Sequence, residues 1–505
     1  MSPQQFAALA AQGYRQIPLT RTLLADLDTP LGVYAKLARG GYTYLLESVE
    51  AREKWGRYSI IGLAADAVIR VCGREVSLCR GDGGLIERRT VADPLRFIQE
   101  YIGEFAVPKL PELPRFAGGL VGYVGYDAVR FVEPRLADSA PPDALGVPDI
   151  LLMRSRDLVI FDTFAGTLTL VTHVDADAAD GHAQGVRRLD ALADRLAAPA
   201  PPLGEVCLGA PPLDEAGLES SMGRAGYERA VERIKEYCAA GDLMQAVPSQ
   251  RLSLPFSADP SGLYRALRAV NPSPYMYFMD FGDFQIVGAS PEILARLERG
   301  EVTVRPIAGT RRRGKTEAED LAMEREMLED PKEIAEHLML IDLGRNDVGR
   351  VAQTGSVRVA EQMVVERYSH VMHISSTVVG QLRPGLDAID LLRAVHPAGT
   401  LSGAPKIRAM EVIDELEPVK RGIYGGAVGY IGWNANMDMA IAIRTGLIKD
   451  GVLHVQAGGG IVADSVPRLE WKESMNKARA LLRAAAMVRP SGVPSGAPSG
   501  EEPRP

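Results

Sequence analysis

Residues 305–316 read Arg305-Pro306-Ile307-Ala308-Gly309-Thr310-Arg311-Arg312-Arg313-Gly314-Lys315-Thr316, and how this stretch is parsed decides the fold. From Gly309 to Thr316 it matches Gly-x-x-x-x-Gly-Lys-Thr, the loop whose backbone N–H groups cradle nucleotide phosphates. That loop works only between a strand and a helix of a parallel sheet. The other parsing ends the functional part at Thr310 and leaves Gly314-Lys315-Thr316 as the start of a helix.

The flanks separate the two parsings. A strand over Glu301–Ala308 follows the turn Glu298-Arg299-Gly300, and Glu317–Leu328 is helix-like. The apolar run Leu338–Ile341 ending in Asp342 imitates a second nucleotide motif. It lies inside a helix opened by Asp330-Pro331, with Asp330 as N-cap, Pro331 at the first helical position and Glu333 as capping-box acid. Ile334, Leu338 and Ile341 recur at helical spacing. Further on, Gly425–Gly432, Met439–Leu447 and Val452–Ala457 read as a meander. Its last two strands join through Lys449-Asp450-Gly451, a hairpin-type turn. Such short connections cannot link parallel strands. The surroundings are antiparallel, and a nucleotide hydrolase is disfavoured. A last helix runs from near Ser465 to about Ala486, with Leu469, Leu481, Leu482 and Ala485 on its buried stripe.

At 505 residues the chain exceeds one compact core. A Pro- and Ala-rich break divides it, giving an N-terminal region 1–196, a linker 197–221, a body 222–487 and a disordered tail 488–505. Gly118–Tyr126 and Gly425–Trp433 echo one another, which suggests two related sheets with pseudo-symmetry. The expected fold class is α+β, with antiparallel sheets packed as a sandwich and helices on the outer faces. A net charge of -8 argues against a nucleic-acid binder, although a local basic pocket suffices for a small anion. The four cysteines form no Cys-x-x-Cys, and no apolar run approaches a membrane span. A reducing, cytoplasmic setting without signal peptide or membrane contact is expected.

Several groups can carry chemistry. Glu333 and Glu336 stand one turn apart on one helix, and Glu470 and Glu473 on another. Carboxylates from two elements suit Mg²⁺, which takes oxygen ligands and keeps several waters. Equally, Glu333 can cap its helix and Glu473 can pair with Lys477. Gly458-Gly459-Gly460 at a strand end is either an anion cradle or a flexible turn. His396 is either an acid–base group or a hydrogen-bonded structural residue. Arg305, Arg444 and Lys406 can grip carboxylates. Arg444, in Ala440-Ile441-Ala442-Ile443-Arg444, points either into a polar pocket or to solvent.

Four stretches together resemble the chorismate-utilising enzymes: 305–311, 336–347, 396–406 and 456–464. The resemblance covers essentially all of 225–480. Leu45–Ser48 and Arg57–Gly62 resemble the regulatory region of the anthranilate-forming branch. For that branch it implies addition of ammonia to C2 of chorismate, departure of the C4 hydroxyl, and elimination of pyruvate to leave anthranilate. This is the first committed step of tryptophan biosynthesis. The resemblance also implies Mg²⁺ on Glu336 and Glu473, with Glu333 and Glu470 close by. Chorismate would meet Gly309, Thr310, Tyr430, Arg444, Gly458, Gly459 and Gly460. Glu292 would protonate the departing hydroxyl, with His396 as partner in proton transfer. Feedback inhibition by tryptophan at Ser48, Pro274, Tyr275 and Met276 is implied as well. So is a separate glutamine amidotransferase subunit as ammonia source, in a heterotetramer of two chains of each kind.

Three positions separate this chain from the other branches. Ala308 stands where aminodeoxychorismate synthases typically carry a nucleophilic Lys. Gln245 stands where isochorismate and salicylate synthases have a Lys base that activates water. Thr400 follows the anthranilate pattern, and Pro248 is unusual in its strand. A silent tryptophan binder remains the alternative to an enzyme.

Overall fold

The computed structural model describes residues 1–49, 56–211, 213, 215–368 and 371–489. Two large antiparallel sheets stack face to face. In the first, neighbouring strands follow the order Gln16–Leu24, Thr167–Asp175, Asp157–Asp162, Tyr58–Gly62, Thr43–Glu47, Tyr275–Asp280, Phe284–Ser290, Thr445–Lys449, Val452–Gly458, Ser249–Pro255 and Glu219–Ser220. In the second the order is Ile307–Arg312, Val371–Gln381, Glu301–Val304, Ile293–Glu298, Met437–Ile441, Ala427–Gly432, Gly119–Val124, Ile150–Ser155, Ala67–Cys72, Glu75–Arg80 and Leu85–Thr90, with Arg358–Arg367 also on Val371–Gln381. Both sheets run without interruption through the two sequence halves.

The echo in the sequence is real architecture. Gly119–Val124 lies antiparallel beside Ala427–Gly432 at the centre of the second sheet, with Gly122 opposite Gly429. Thr43–Glu47 meets Tyr275–Asp280 in the same way in the first sheet. On either side of these seams the strands fan out in the same chain order. Gly122 and Gly429 both take φ 156°, and a Cβ at either would lie 2.0 or 2.1 Å from a neighbouring carbonyl oxygen. Those oxygens belong to Leu151 and Asp438 on the outer neighbours; across the seam itself the closest approach is at Gly119, where a Cβ would lie 2.1 Å from the Ile431 carbonyl oxygen.

Three apolar layers hold the stack. One lies between the sheets and includes Tyr44, Tyr123, Phe281, Phe284 and Tyr430. Another joins the outer face of the first sheet to helices that include Pro260–Val270 and Pro467–Ala486. The third joins the outer face of the second sheet to Pro331–Gly349 and Ala388–Val395. Strands such as Ile150–Ser155 are covered on both faces, so their sequences read as continuous apolar runs without alternation.

The opening stretch follows the second parsing. Ile307–Arg312 pairs antiparallel with Val371–Gln381. Thr316 caps the helix Glu317–Glu329 by accepting from the Glu319 N–H at 3.2 Å. The Gly314 N–H donates to Asp320 at 2.7 Å and the Lys315 N–H to Glu319 at 2.7 Å. Donors that a phosphate would need are therefore engaged.

Some expectations are corrected. The strand expected over Glu301–Ala308 is two strands, Glu301–Val304 and Ile307–Arg312, broken at Pro306, which has no N–H to donate. The expected meander splits, because Met437–Ile441 belongs to the second sheet and Thr445–Lys449 to the first. Leu338 and Leu469 are exposed, at 47% and 49%, while Leu340 takes the buried place on its helix. Glu333 leaves the capping box and pairs with Arg311 instead. The stretch 197–221 does not stand free: Val206 bridges Val488, and Glu219–Ser220 pairs with Ser249–Pro255. Residues 490–505 of the expected disordered tail lie outside the described residues. Among those described, no helix is long and apolar enough to cross a membrane.

Candidate active site

Ser290 ends a strand of the first sheet, and Pro291 and Glu292 carry the chain across to the second. The Glu292 carboxyl is buried and accepts a hydrogen bond from the Thr400 hydroxyl at 3.1 Å. Burial pushes its pKa up to about 8, against the opposing pull of Thr400, Arg444, Lys477 and the Ile307 backbone. At neutral pH this is a carboxylic acid with a proton to give.

Arg444 stands at the corner where the chain passes from the second sheet back to the first, at φ 50°. Burial lowers its pKa, and Glu292 and Tyr368 act in the opposite direction. Among the described residues its guanidinium makes no hydrogen bond or ion pair. A cation held in this way is poised for an incoming carboxylate.

Across from it, a bulge lets Gly309 take φ 59° and aim its carbonyl at His373, whose Nδ1–H donates to it at 3.1 Å. His373 pairs in register with Thr310. The Thr310 side chain lies outside the described residues. Burial and the Arg444 charge lower the His373 pKa to about 4, so the ring is neutral at physiological pH.

Gly458, Gly459 and Gly460 close the opposite wall. The Gly458 carbonyl accepts from Lys477 at 3.0 Å, and its backbone hydrogen bonds the Tyr424 hydroxyl. A Cβ on Gly459 would come within 3.3 and 3.4 Å of the Glu473 and Glu470 carboxylates. On Gly460 it would lie 2.4 Å from the Gln245 amide nitrogen. Bare backbone is required at Gly458, where a Cβ would lie 2.0 Å from the Pro248 carbonyl oxygen.

The helices Pro331–Gly349 and Pro467–Ala486 bring Glu333, Glu336, Glu470 and Glu473 into one another's field. Burial first, then the charges of Glu333 and Glu473, raise the Glu336 pKa; burial and Glu473 raise that of Glu470. Gln245 donates to Glu336 at 3.3 Å, Arg311 pairs with Glu333 at 2.7 Å and Lys477 with Glu473 at 2.8 Å. Among the described residues no three acidic, histidine or cysteine side chains close into a metal cage. The donors are nevertheless all carboxylate oxygens, with a side-chain-free cradle at Gly459 beside two of them. That set fits a hard divalent cation which keeps most of its water shell.

Two expected site residues make other contacts among the described residues. The His396 ring donates from Nε2 to the carbonyls of Gly125 and Tyr126, at 3.1 and 3.3 Å, and braces the two halves together. Its pKa falls to about 4 by burial, and the charge acting on it is Lys406, neither Glu292 nor Arg444. His373 is the imidazole on which the Arg444 charge acts. Tyr430 packs on Phe116 between the sheets, and Tyr424 is the tyrosine at the glycine wall. Arg305 pairs with Glu366, and Lys406 with Asp347 at 2.8 Å, so neither is available to grip a ligand.

Tyr430 instead lines a cavity of about 480 Å³ between the sheets, together with Glu47, Ser48, Pro274, Tyr275 and Met276. The Ser48 hydroxyl is buried without a partner. The Tyr275 hydroxyl is fixed by Asp438 at 3.0 Å and Arg296 at 3.1 Å. Pro291, Ile293 and Ile307 also line this cavity, and they flank Glu292 and precede Ala308.

Residues 48–483 match the chorismate binding enzymes. The chain belongs to that family. It is 60% identical to anthranilate synthase component 1 of Pseudomonas aeruginosa over 491 residues, 97% of this chain and 100% of the relative. It is 53% identical to the protein of the same name from Neisseria meningitidis over 493 residues, 97% of this chain and 99% of the relative. Among solved structures it resembles anthranilate synthase component I from Streptococcus pneumoniae, with TM-score 0.76 and 38% identity over 91% of this chain and 99% of that one. The isochorismate synthase MenF from Escherichia coli shares the fold at TM-score 0.66 and 19% identity, covering 96% of this chain and 100% of that one.

Proposed function

We propose that this chain is the chorismate-aminating component of an anthranilate synthase, converting chorismate and ammonia to anthranilate, pyruvate and water. The observation that carries the reading is the Glu292 carboxyl, kept protonated near neutral pH beside an uncommitted arginine. Arg444 and the backbone of Gly309 and Gly458–Gly460 hold the carboxylates of chorismate. Glu292 gives its proton to the departing C4 hydroxyl, which leaves as water while ammonia adds at C2. Loss of the C2 proton and of the enolpyruvyl group as pyruvate then makes the ring aromatic. His373, held neutral by burial and by the Arg444 charge and fixed through Nδ1, would take part in proton transfer on the Arg444 side. Glu336 and Glu473, with Glu333 and Glu470 beside them, would hold Mg²⁺, which when bound supplies positive charge for a substrate carboxylate.

Two side chains favour ammonia over the alternatives. Ala308 is buried opposite Ile374 and offers no nucleophile. Gln245 donates to Glu336 and is no base for water. The ammonia comes from a separate glutamine amidotransferase subunit, two of each chain forming the heterotetramer in the cytoplasm. Tryptophan occupies the cavity at Ser48, Pro274, Tyr275 and Met276. Because Pro291, Ile293 and Ile307 form part of that cavity, the inhibitor acts on the backbone that carries Glu292 and Ala308.

The decisive assay supplies chorismate, Mg²⁺ and ammonium and follows anthranilate fluorescence. Absence of product at every ammonium concentration refutes the reading.

A further inference from the structure

Arg421 and Glu417 do not reach the cleft, yet they touch the segments behind three of its walls. Their side chains are 2% and 3% exposed, and the two are paired at 2.6 Å. The Arg421 guanidinium donates to the Leu401 carbonyl at 2.6 Å and to the Val247 carbonyl at 2.6 Å. Glu417 accepts from the Ser249 N–H at 2.7 Å and from its hydroxyl at 2.8 Å. The Ser249 hydroxyl in turn accepts from Gln456 at 2.8 Å. The guanidinium lies over the rings of Tyr126 and Tyr424, at 4.5 and 5.6 Å from their centroids.

Each of these contacts is one step from the cleft. Leu401 follows Thr400, which holds Glu292. Val247 and Ser249 flank Pro248, whose carbonyl packs against Gly458, and the same segment begins at Gln245. Tyr424 hydrogen bonds the Gly458 backbone. Stability alone is a poor reason for such a pair, because the desolvation of two charges offsets most of their attraction. Only a planar fork with several fixed donors can hold two carbonyls and a carboxylate at once; a lysine is a point charge.

We infer that Arg421 and Glu417 are positioning residues, which set the spacing between the Thr400 wall, the Gln245 wall and the glycine wall of the cleft. This rests on reading that cleft as the chorismate site.

The test compares Arg421→Lys and Ser249→Ala with the wild-type chain by hydrogen–deuterium exchange and by steady-state kinetics. Arg421→Lys keeps the charge pair and loses the fork. It is expected to exchange at least tenfold faster over 245–249 and 399–403 with the rest of the chain unchanged. The kcat/KM for chorismate is expected to fall at least tenfold, and the alkaline limb of its pH profile to move upward as Thr400 loosens its hold on Glu292. Ser249→Ala, a milder change that removes one hydroxyl, is expected to speed exchange over 245–249 and 456–460 alone. Unchanged local exchange and kinetics in both variants, or exchange that rises evenly over the whole chain, overturns the inference. If the wild-type chain makes no anthranilate, the functional reading falls, while the exchange pattern still decides the role of the pair.

Discussion

Replacing Glu292 by glutamine tests the central residue, because activity and stability are expected to move in opposite directions. The glutamine keeps the shape and an acceptor for Thr400 but has no proton to donate, and loss of a general acid costs about 10²–10⁴-fold in rate. Stability follows from the raised pKa. Below its ordinary value of 4.5, Glu292 is neutral in both folded and unfolded chains and carries no penalty. As pH rises, the unfolded chain ionises first, and folding must keep the proton on. At 1.36 kcal/mol per pH unit the penalty reaches about 3 kcal/mol at pH 7 and levels off near about 5 kcal/mol above pH 8. Glutamine removes that penalty. With an unfolding entropy of about 2.1 cal/mol/K per residue, the variant should melt about 3 °C above wild type at pH 7 and at the same temperature near pH 4.5. The assays are calorimetry across that range and anthranilate formation at constant free ammonia, where wild-type kcat/KM should decline as pH passes about 8. A variant with kcat within threefold of wild type, or a melting difference independent of pH, would refute the reasoning.

Arg444→Gln removes one charge-assisted contact to a carboxylate, so the KM for chorismate should rise about 10- to 100-fold with a smaller change in kcat, read by initial rates. His373→Ala and His396→Ala each remove a buried ring with its carbonyl contact and should each cost about 1–3 kcal/mol of stability by calorimetry, but only His373→Ala should also lower kcat about a hundredfold or more. Ser48→Phe fills the inter-sheet cavity and should raise the tryptophan inhibition constant at least tenfold, with uninhibited activity intact; unchanged inhibition would show that tryptophan binds elsewhere. Lys315→Ala should leave both activity and stability within about 0.5 kcal/mol of wild type, whereas a phosphate loop would lose all function.

Much of the antiparallel sandwich was legible, since turns such as Lys449-Asp450-Gly451 fix strand direction locally. The two central residues of that turn take φ 51° and 75°, as a tight hairpin requires. Paired glycines announced the seam at Gly122 and Gly429. The routing was not legible, because strands covered on both faces lose their alternation, and nothing local says which sheet a strand joins. Arg444 read as a strand residue for that reason, although it sits on the corner between sheets. The backbone of the candidate site was legible where glycines mark it, as at Gly309, which takes φ 59°, and at Gly458, where a Cβ would lie 2.0 Å from the Pro248 carbonyl oxygen. It was not where one residue type recurs nearby. Tyr424 and Tyr430 stand six apart, and only the turn at Gly425-Gly426 separates a cleft tyrosine from a cavity tyrosine. His373 had one weak signal, a polar residue within the apolar strand Val371–Ile374, whereas His396 drew attention through its glycine-rich neighbours. Leu338 and Leu469 satisfied helical spacing yet face solvent, because spacing defines a stripe without saying how wide a neighbour covers it.

The seams also govern how the chain comes into being. Synthesis proceeds from the N-terminus, so Thr43–Glu47 and Gly119–Val124 emerge long before Tyr275–Asp280 and Ala427–Gly432, their partners. During that interval the nascent half exposes two raw sheet edges, each a template for any strand that arrives first. Contacts so distant in sequence close slowly. The same complementarity suggests that two separately made pieces, parted within 197–221, would recognise each other along both seams. Gly119, whose bare Cα lets the Ile431 carbonyl approach across the seam, would then act as a docking register for reassembly.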